Sequence, residues 1–219
     1  QSINKKKINL DKKQKLISFV GKLNSAKGYD IFGKTIIKIL NKYPDWCANV
    51  IGDEPREEFN FNHKNLKMLG FKKHNEVLSN FEKTSIAVVC SRWNEPFGRT
   101  SLEASSRGCG VIISNRGGLP ETITNGIILK NLNSKSLFFE IENLIKNKNK
   151  LKKLQIDSIK NFILDDNFIS KKIDHYRIQN LPVKFNFNKE KNLSNLKILH
   201  VTNFNERHNG RLFYNSGRR

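Results

Sequence analysis

Residues 16–21, Leu-Ile-Ser-Phe-Val-Gly, form a short apolar run that stops at a glycine, and the chain repeats this device. "WCANVIG", "LKMLG", "IAVVC", "GVIIS" and "GIIL" follow in order, each too short for a helix and too apolar for a strand with one wet face. Between them lie segments of helical period. "YDIFGKTIIKILNKY" carries Ile31, Phe32, Ile36, Ile37, Ile39 and Leu40 on one side and is closed by Pro44. "NEVLSNFEKT" and residues 98–107 read as two shorter helices, and three further helical stretches fill about 134–180. Continuous apolar strands alternating with helices imply a parallel sheet covered on both faces. The expected fold class is therefore α/β, a doubly wound parallel sheet of Rossmann-like type, whose ligand belongs beyond the carboxyl ends of its strands.

The pattern sets the domain limits. Residues 1–15 are polar and lysine-rich and read as a linker or tail, and 16–181 as the Rossmann-like domain. Residues 182–195 read as a linker. "LKILHVTNF", 196–204, reads as a new buried strand, so 196–219 is expected to be the truncated start of a second Rossmann-like domain, a simple C-terminal extension being the alternative. A start at Gln1 reads as a piece of a longer polypeptide. No run approaches the roughly 18 to 20 apolar residues of a membrane span, and no apolar signal segment follows Lys5-Lys6-Lys7.

The formal net charge of +20 suits nucleic acid, an anionic membrane face or a phosphorylated ligand. The lysines are spread over helices and tails without interleaved aromatics, which also fits general solvation in a Lys- and Asn-rich chain. Cys47, Cys90 and Cys109 are odd in number and lack metal spacing, so a reduced, cytoplasmic compartment is expected, with Cys90 as a small core residue.

Three loops at the expected strand ends carry chemistry. In "GKLNSAKG", Gly21 permits a tight turn and Lys22 and Lys27 bring two ammonium groups to one strand end, as a diphosphate requires. A solvated loop in a lysine-rich protein would look the same. Neither G-x-G-x-x-G nor a Walker loop is present. In "NEPFGRTSLEASSRG", Pro96 puts the helix start just after it, near Phe97-Gly98. The first N–H groups, from Gly98 through Arg99 to Thr100, then face the strand ends and suit a phosphate. Glu95 and Glu103 suit sugar hydroxyls, which donate to carboxylates. The plainer alternatives are a helix cap for Glu95 and an exposed helix glutamate for Glu103. Arg107 is expected to face solvent. In "NRGGLPE", Gly117-Gly118 permits a close backbone approach, and Glu121 is expected to face the same cleft.

Taken together these residues resemble the donor-binding half of GT-B fold glycosyltransferases, in particular the large retaining family 4 type, the glycosyl transferases group 1. The resemblance rests on Gly21-Lys22-Leu23 with Lys27-Gly28, on Gly52-Asp53-Glu54-Pro55, and on Leu69-Gly70. It continues through Glu95-Pro96-Phe97-Gly98 with Glu103-Ala104 to Gly117-Gly118-Leu119-Pro120-Glu121, over roughly residues 15–180. It implies a hexosyltransferase that moves a sugar from a nucleotide-diphosphate donor with retention, present here as the donor-binding domain, which alone is expected to be incomplete.

The implied roles follow residue by residue. Lys22 and Lys27 hold the diphosphate and, with Glu95, form the catalytic set. The N–H groups of Gly98, Arg99 and Thr100 hold the distal phosphate, and Gly21 and Phe97 count among the donor-binding residues. Glu103 takes the ribose hydroxyls and Glu95 hydroxyls of the transferred sugar, while Gly70 and Phe71 lie against the base. The implied partners are a nucleotide sugar and a glycan or lipid-linked acceptor of a bacterial surface polysaccharide. No metal or other cofactor is expected, the donor being a substrate. A basic surface suits peripheral association with the anionic inner leaflet. Nucleic acid is not expected, since the paired carboxylates would repel its backbone. Two alternatives stay open: a non-enzymatic basic nucleic-acid-binding module, and a nucleotide-sugar epimerase of the same architecture. Lys22 departs from the arginine common at that position, which turns a bidentate contact into a point charge. Arg99 adds a charge beside the phosphate, and Ser105-Ser106-Arg107 replaces small apolar residues.

Overall fold

A computed structural model describes residues 8–123 and 125–180. The linker and second-domain expectations for 182–219 lie outside the described residues. Six strands form one sheet in the order β3-β2-β1-β4-β5-β6. They are β1 (Gln14–Val20), β2 (Cys47–Ile51), β3 (Leu66–Met68), β4 (Thr84–Val89), β5 (Gly110–Ser114) and β6 (Ile127–Leu129). Every neighbouring pair is parallel, with Phe19 level with Val50 on one side and Val88 on the other, and Val88 level with Ile112. The helices are α1 (Tyr29–Lys42), α2 (His74–Lys83), α3 (Arg99–Ser106), α4 (Ser134–Lys146), α5 (Lys148–Lys160) and α6 (Asp166–Asn180). Among the described residues no helix is long and apolar enough to cross a membrane.

The uninterrupted apolar runs now have a cause. Ile17 and Phe19 of β1, Ile86 and Val88 of β4 and Ile112 of β5 join a core with Phe32, Ile36 and Leu40 of α1 and Leu137, Ile141 and Leu144 of α4. Ala87 of β4 and Val111 and Ile113 of β5 join the opposite core, with Val77 and Phe81 of α2 and Ala104 of α3. Alternate side chains leave the strands in opposite directions, and both directions end in protein. Each fully buried phenylalanine, such as Phe19, Phe32 or Phe81, contributes about 1.5–3 kcal/mol.

A polar exception ties α2 to the sheet. Ser18 of β1 pairs with Thr84 at 2.7 Å, and Asn80 of α2 donates to Ser18 at 3.0 Å while accepting from Asn49 of β2 at 2.8 Å. These buried and half-buried groups satisfy one another, so polar residues inside otherwise apolar strands carry no unpaired cost.

One boundary and the exposure of one residue differ from expectation. β1 starts at Gln14, and a short 3₁₀ turn, Leu10–Lys12, precedes it, so the ordered fold reaches into the segment read as a tail. Lys13 is the reason. Its ammonium donates to the carbonyls of Phe81, Thr84 and Arg107 at 2.7–2.8 Å, where the ends of α2 and α3 meet the start of β4 and favour a cation. Burial pulls the Lys13 pKa below the usual lysine range, against the raising effect of Cys109 beside it. Arg107 does not face solvent. It is 6% exposed, with Nη1 donating to Ser106 and Nε 3.7 Å from Glu82, because the end of α3 packs against the end of α2.

The strand order reverses between β1 and β4, and there the loops after the two strands meet. Gly28, with φ +73°, sits so close to the end of β4 that a Cβ would lie 2.0 Å from the Cys90 carbonyl oxygen. The chain after β4 is drawn onto this loop, with Arg92 and Trp93 N–H groups both donating to Ala26 O, at 2.8 and 3.1 Å. Gly28→Ala combines a left-handed backbone with an overlap against backbone atoms. It is expected to destabilise the chain by about 2–5 kcal/mol, read as a lower denaturant midpoint; a loss below about 0.5 kcal/mol would show that the two loops move apart freely.

Candidate functional site

The loop after β1 is held from two sides. On the β2 side, Gly21 N–H donates to Ile51 O at 3.0 Å and Leu23 N–H to Asp53 O at 3.3 Å. Glu54 accepts from Asn24 at 3.1 Å, and Glu57 accepts the Ser25 N–H at 2.9 Å. Arg56 grips Glu54 with two hydrogen bonds, of 2.7 and 2.9 Å, which hold the Glu54 carboxyl down at about 2. On the β4 side, Arg92 reaches back to the Ser25 carbonyl and makes a two-pronged contact with Asp30 at 2.6 and 2.8 Å. The Arg92 guanidinium keeps Asp30 below the ordinary carboxylate range. Lys27 is thus displayed by a loop braced along its length.

The loop after β4 is shaped from the β5 side. Gly117, with φ +53°, leaves so little room that a Cβ would lie 2.3 Å from Glu95 O, and Gly118 N–H donates to that oxygen at 2.7 Å. The close approach expected of Gly117-Gly118 is therefore made to the chain's own Glu95-Pro96 backbone. Glu121, expected in the cleft, does not line it: in the short 3₁₀ turn Leu119–Thr122 the buried Leu119 and Thr122 face the protein and Glu121 is left exposed to solvent. Gly98, in a left-handed conformation, precedes the first residue of α3, and no side chain caps that helix start. Ser101 donates to Gly98 O at 2.7 Å, which fixes the first turn. The N–H groups of that turn have no partners within the helix and carry its positive dipole end.

Six of the expected residues, Gly21, Lys27, Glu95, Gly98, Arg99 and Thr100, line one cleft floored by Val20 and Val89 at the carboxyl ends of β1 and β4. Its volume is about 110 Å³. Lys27 Nζ and Glu95 Oε1 form an ion pair across it, with the lysine side chain one-third exposed. The cleft thus offers one ammonium, one guanidinium and an open helix start to an anion, and one carboxylate to hydroxyls.

The remaining expected residues lie outside this cleft. Lys22 is exposed on the same loop as Lys27, and Phe97 is 42% exposed. Gly70, with φ +65°, has open space where a side chain would be, and Phe71 is 73% exposed beside an open depression formed by residues 71–75. Glu103 is not an exposed helix glutamate. It is 6% exposed, and its Oε1 lies 3.1 Å from His74 Nε2 and 3.4 Å from Arg99 Nη2. His74, Glu54, Glu57 and Arg92 carry no signal in the sequence, since each acts through a partner 29 to 67 positions away. Cys90 is buried, and burial pushes its thiol up to about 12, so it is no nucleophile. Among the described residues no three His, Cys, Asp or Glu side chains gather as a metal site.

Comparison with known proteins bears on the family and the fold. The family model described as glycosyl transferases group 1 matches residues 1–161. Spore coat protein SA of Bacillus subtilis (strain 168) is 32% identical over 126 residues, 52% of this chain and 33% of that protein. The lipopolysaccharide core biosynthesis mannosyltransferase LpsB of Rhizobium meliloti (strain 1021) is 30% identical over 132 residues, 56% of this chain and 37% of that protein. The chain thus spans about a third of the length of these curated relatives. Among solved structures, the C-terminal domain of a glycosyl transferase group 1 family protein (LpcC) from Francisella tularensis superposes with a TM-score of 0.60. It is 27% identical, and the match covers 72% of this chain and 85% of that one. Alr3699/HepE from Anabaena, solved in complex with UDP and glucose, shares the fold with a TM-score of 0.65 at 20% identity, over 77% of this chain and 49% of that one.

The ion pair across the cleft makes a prediction about anions alone. With its partner removed, Lys27 is free to meet inorganic pyrophosphate, so Glu95→Gln should bind pyrophosphate about five-fold more tightly at low salt, while Lys27→Ala binds it more weakly than the unaltered chain. Equal pyrophosphate affinity in Glu95→Gln and the unaltered chain, by calorimetry, would show that the pair does not compete with the anion.

Proposed function

The chain belongs to the glycosyl transferases group 1 family, and on that premise we propose that the cleft between β1 and β4 holds the diphosphate of a nucleotide-sugar donor. The observation that supports this most is the convergence of Lys27, Arg99, the open start of α3 and Glu95 on one cleft at the topological switch point of the sheet. A leaving nucleoside diphosphate gains negative charge as the bond to the sugar breaks. Positive charge already fixed there stabilises that change without reorganisation. Lys27 and the Arg99 and Thr100 N–H groups take this role, with Lys22 arriving from the exposed side of the loop.

Glu95 then serves the other half of the donor. Its pairing with Lys27 keeps both groups satisfied until a diphosphate replaces the carboxylate, and the released Glu95 accepts hydrogen bonds from hydroxyls of the transferred sugar. Glu103 takes the ribose hydroxyls, and Phe71 beside Gly70 lies against the base. Alr3699/HepE with UDP and glucose supports a donor of this class. LpsB, a mannosyltransferase of lipopolysaccharide core biosynthesis, supports a glycan or lipid-linked acceptor. Transfer with retention follows the family resemblance.

A cleft of about 110 Å³ falls below the roughly 300 Å³ at which small-molecule pockets begin, so it grips part of a donor and a facing surface completes the site. In this architecture that surface, with the acceptor site, belongs to a second Rossmann-like domain. The net charge of +20 favours work beside an anionic cytoplasmic leaflet.

Titration of the chain with UDP, GDP and ADP tests the reading. One of the three is expected to bind, and Glu103→Ala to weaken it at least ten-fold, about 1.4 kcal/mol. Equal affinity in the variant, or heat from none of the three, would overturn it.

A further inference from the structure

We infer that His74 is a positioning residue for the donor, fixing the Glu103 carboxylate so that one oxygen stays free for the vicinal hydroxyls of a ribose. The inference rests on the reading of Glu103 as a donor-site residue and adds to it the device that orients the group. Glu103 Oε1 receives both protein contacts, His74 Nε2 at 3.1 Å and Arg99 Nη2 at 3.4 Å. Among the described residues no donor reaches Oε2. A carboxylate held in this way has one saturated oxygen and one open oxygen with two acceptor sites. A pair of adjacent hydroxyls matches the open one.

The burial of the pair makes the contact more than a surface ion pair. The Glu103 side chain is 8% exposed and that of His74 15%, so a carboxylate here needs a donor. Arg99 alone is a poor anchor. Its side chain is half-exposed, it lies one helical turn before Glu103 on the same helix, and it also borders the phosphate cleft. His74 comes from a different element, the first residue of α2, whose position is set independently. Glu76 accepts the Lys73 N–H at 3.0 Å and defines the helix start, and Val77 and Phe81 root the helix in the core.

His74 has a second placement that fits. It lines the open depression beside Phe71, at the turn from β3 into α2. The residue that orients the ribose carboxylate therefore also borders the region proposed for the base. A nucleoside has this layout, with the base on one side of the ribose and the hydroxyls on another. The family resemblance assigns nothing to position 74, and no sequence pattern singles it out.

The test compares the tightest binder among UDP, GDP and ADP with its 2′,3′-dideoxy counterpart, by calorimetry on the full chain. The chain itself should prefer the ribonucleotide at least ten-fold, and Glu103→Ala should abolish the preference. His74→Ala should cut the preference to about three-fold or less, and His74→Gln, which keeps an N–H donor, should restore most of it. Full preference in His74→Ala, alongside its loss in Glu103→Ala, overturns the positioning role and leaves the donor site standing. Equal weakening of both nucleotides in His74→Ala also overturns it, since that marks a merely structural histidine. Preference retained in Glu103→Ala removes the donor-site reading, and this inference with it.

Discussion

Backbone packed on backbone, along the carboxyl edge of the sheet, is the constraint on which the rest of this structure depends. The loop after β1 closes at Gly28 against the carbonyl of Cys90, and the loop after β5 closes at Gly117 against the carbonyl of Glu95. Neither approach leaves room for a single side-chain carbon. Three loops far apart in the chain are thereby pressed into one rigid surface. Lys27, Glu95 and the start of α3 are seated on this close backbone packing. A site built on loops usually loses precision to loop motion; here the loops brace one another.

Charge is arranged on that surface with the same economy. Glu54, Glu57 and Asp30 are spent on holding the loop itself, through Asn24, Ser25 and Arg92. Arg56 offsets the charge of Glu54 and Arg92 that of Asp30, close to where an anion would sit. Among the described residues the Lys27 ammonium has one partner, Glu95. A cation paired only to a carboxylate that itself suits sugar hydroxyls can be transferred to a diphosphate without leaving either group unsatisfied.

The sheet was legible because its signal is a solvent-exclusion signal. A strand such as Ile86-Ala87-Val88 is apolar at every position when both faces are covered, and its shortness and its alternation with helical segments separate it from a buried helix. The start of α3 was legible because Pro96 admits few alternatives. The glycine pairs could be placed but not interpreted: Gly117 and Gly118 read as making room for a ligand, and they make room for Glu95 and Pro96. Glu121, Arg107 and the true start of β1 were missed for a shared reason. Their surroundings are set by residues distant in sequence, such as Lys13 bonded to the end of α2. His74 was invisible on the same ground, its meaning lying wholly in its distance to Glu103.

The central claim is that the cleft between β1 and β4 receives a diphosphate in exchange for the Lys27–Glu95 pair. A crystal structure of the chain with a bound nucleoside diphosphate tests it most directly. The account predicts phosphate oxygens within hydrogen-bond distance of Lys27 and of the Arg99 and Thr100 N–H groups, with Glu95 released from Lys27. A nucleotide bound away from this cleft, with Lys27 and Glu95 still paired, would contradict it.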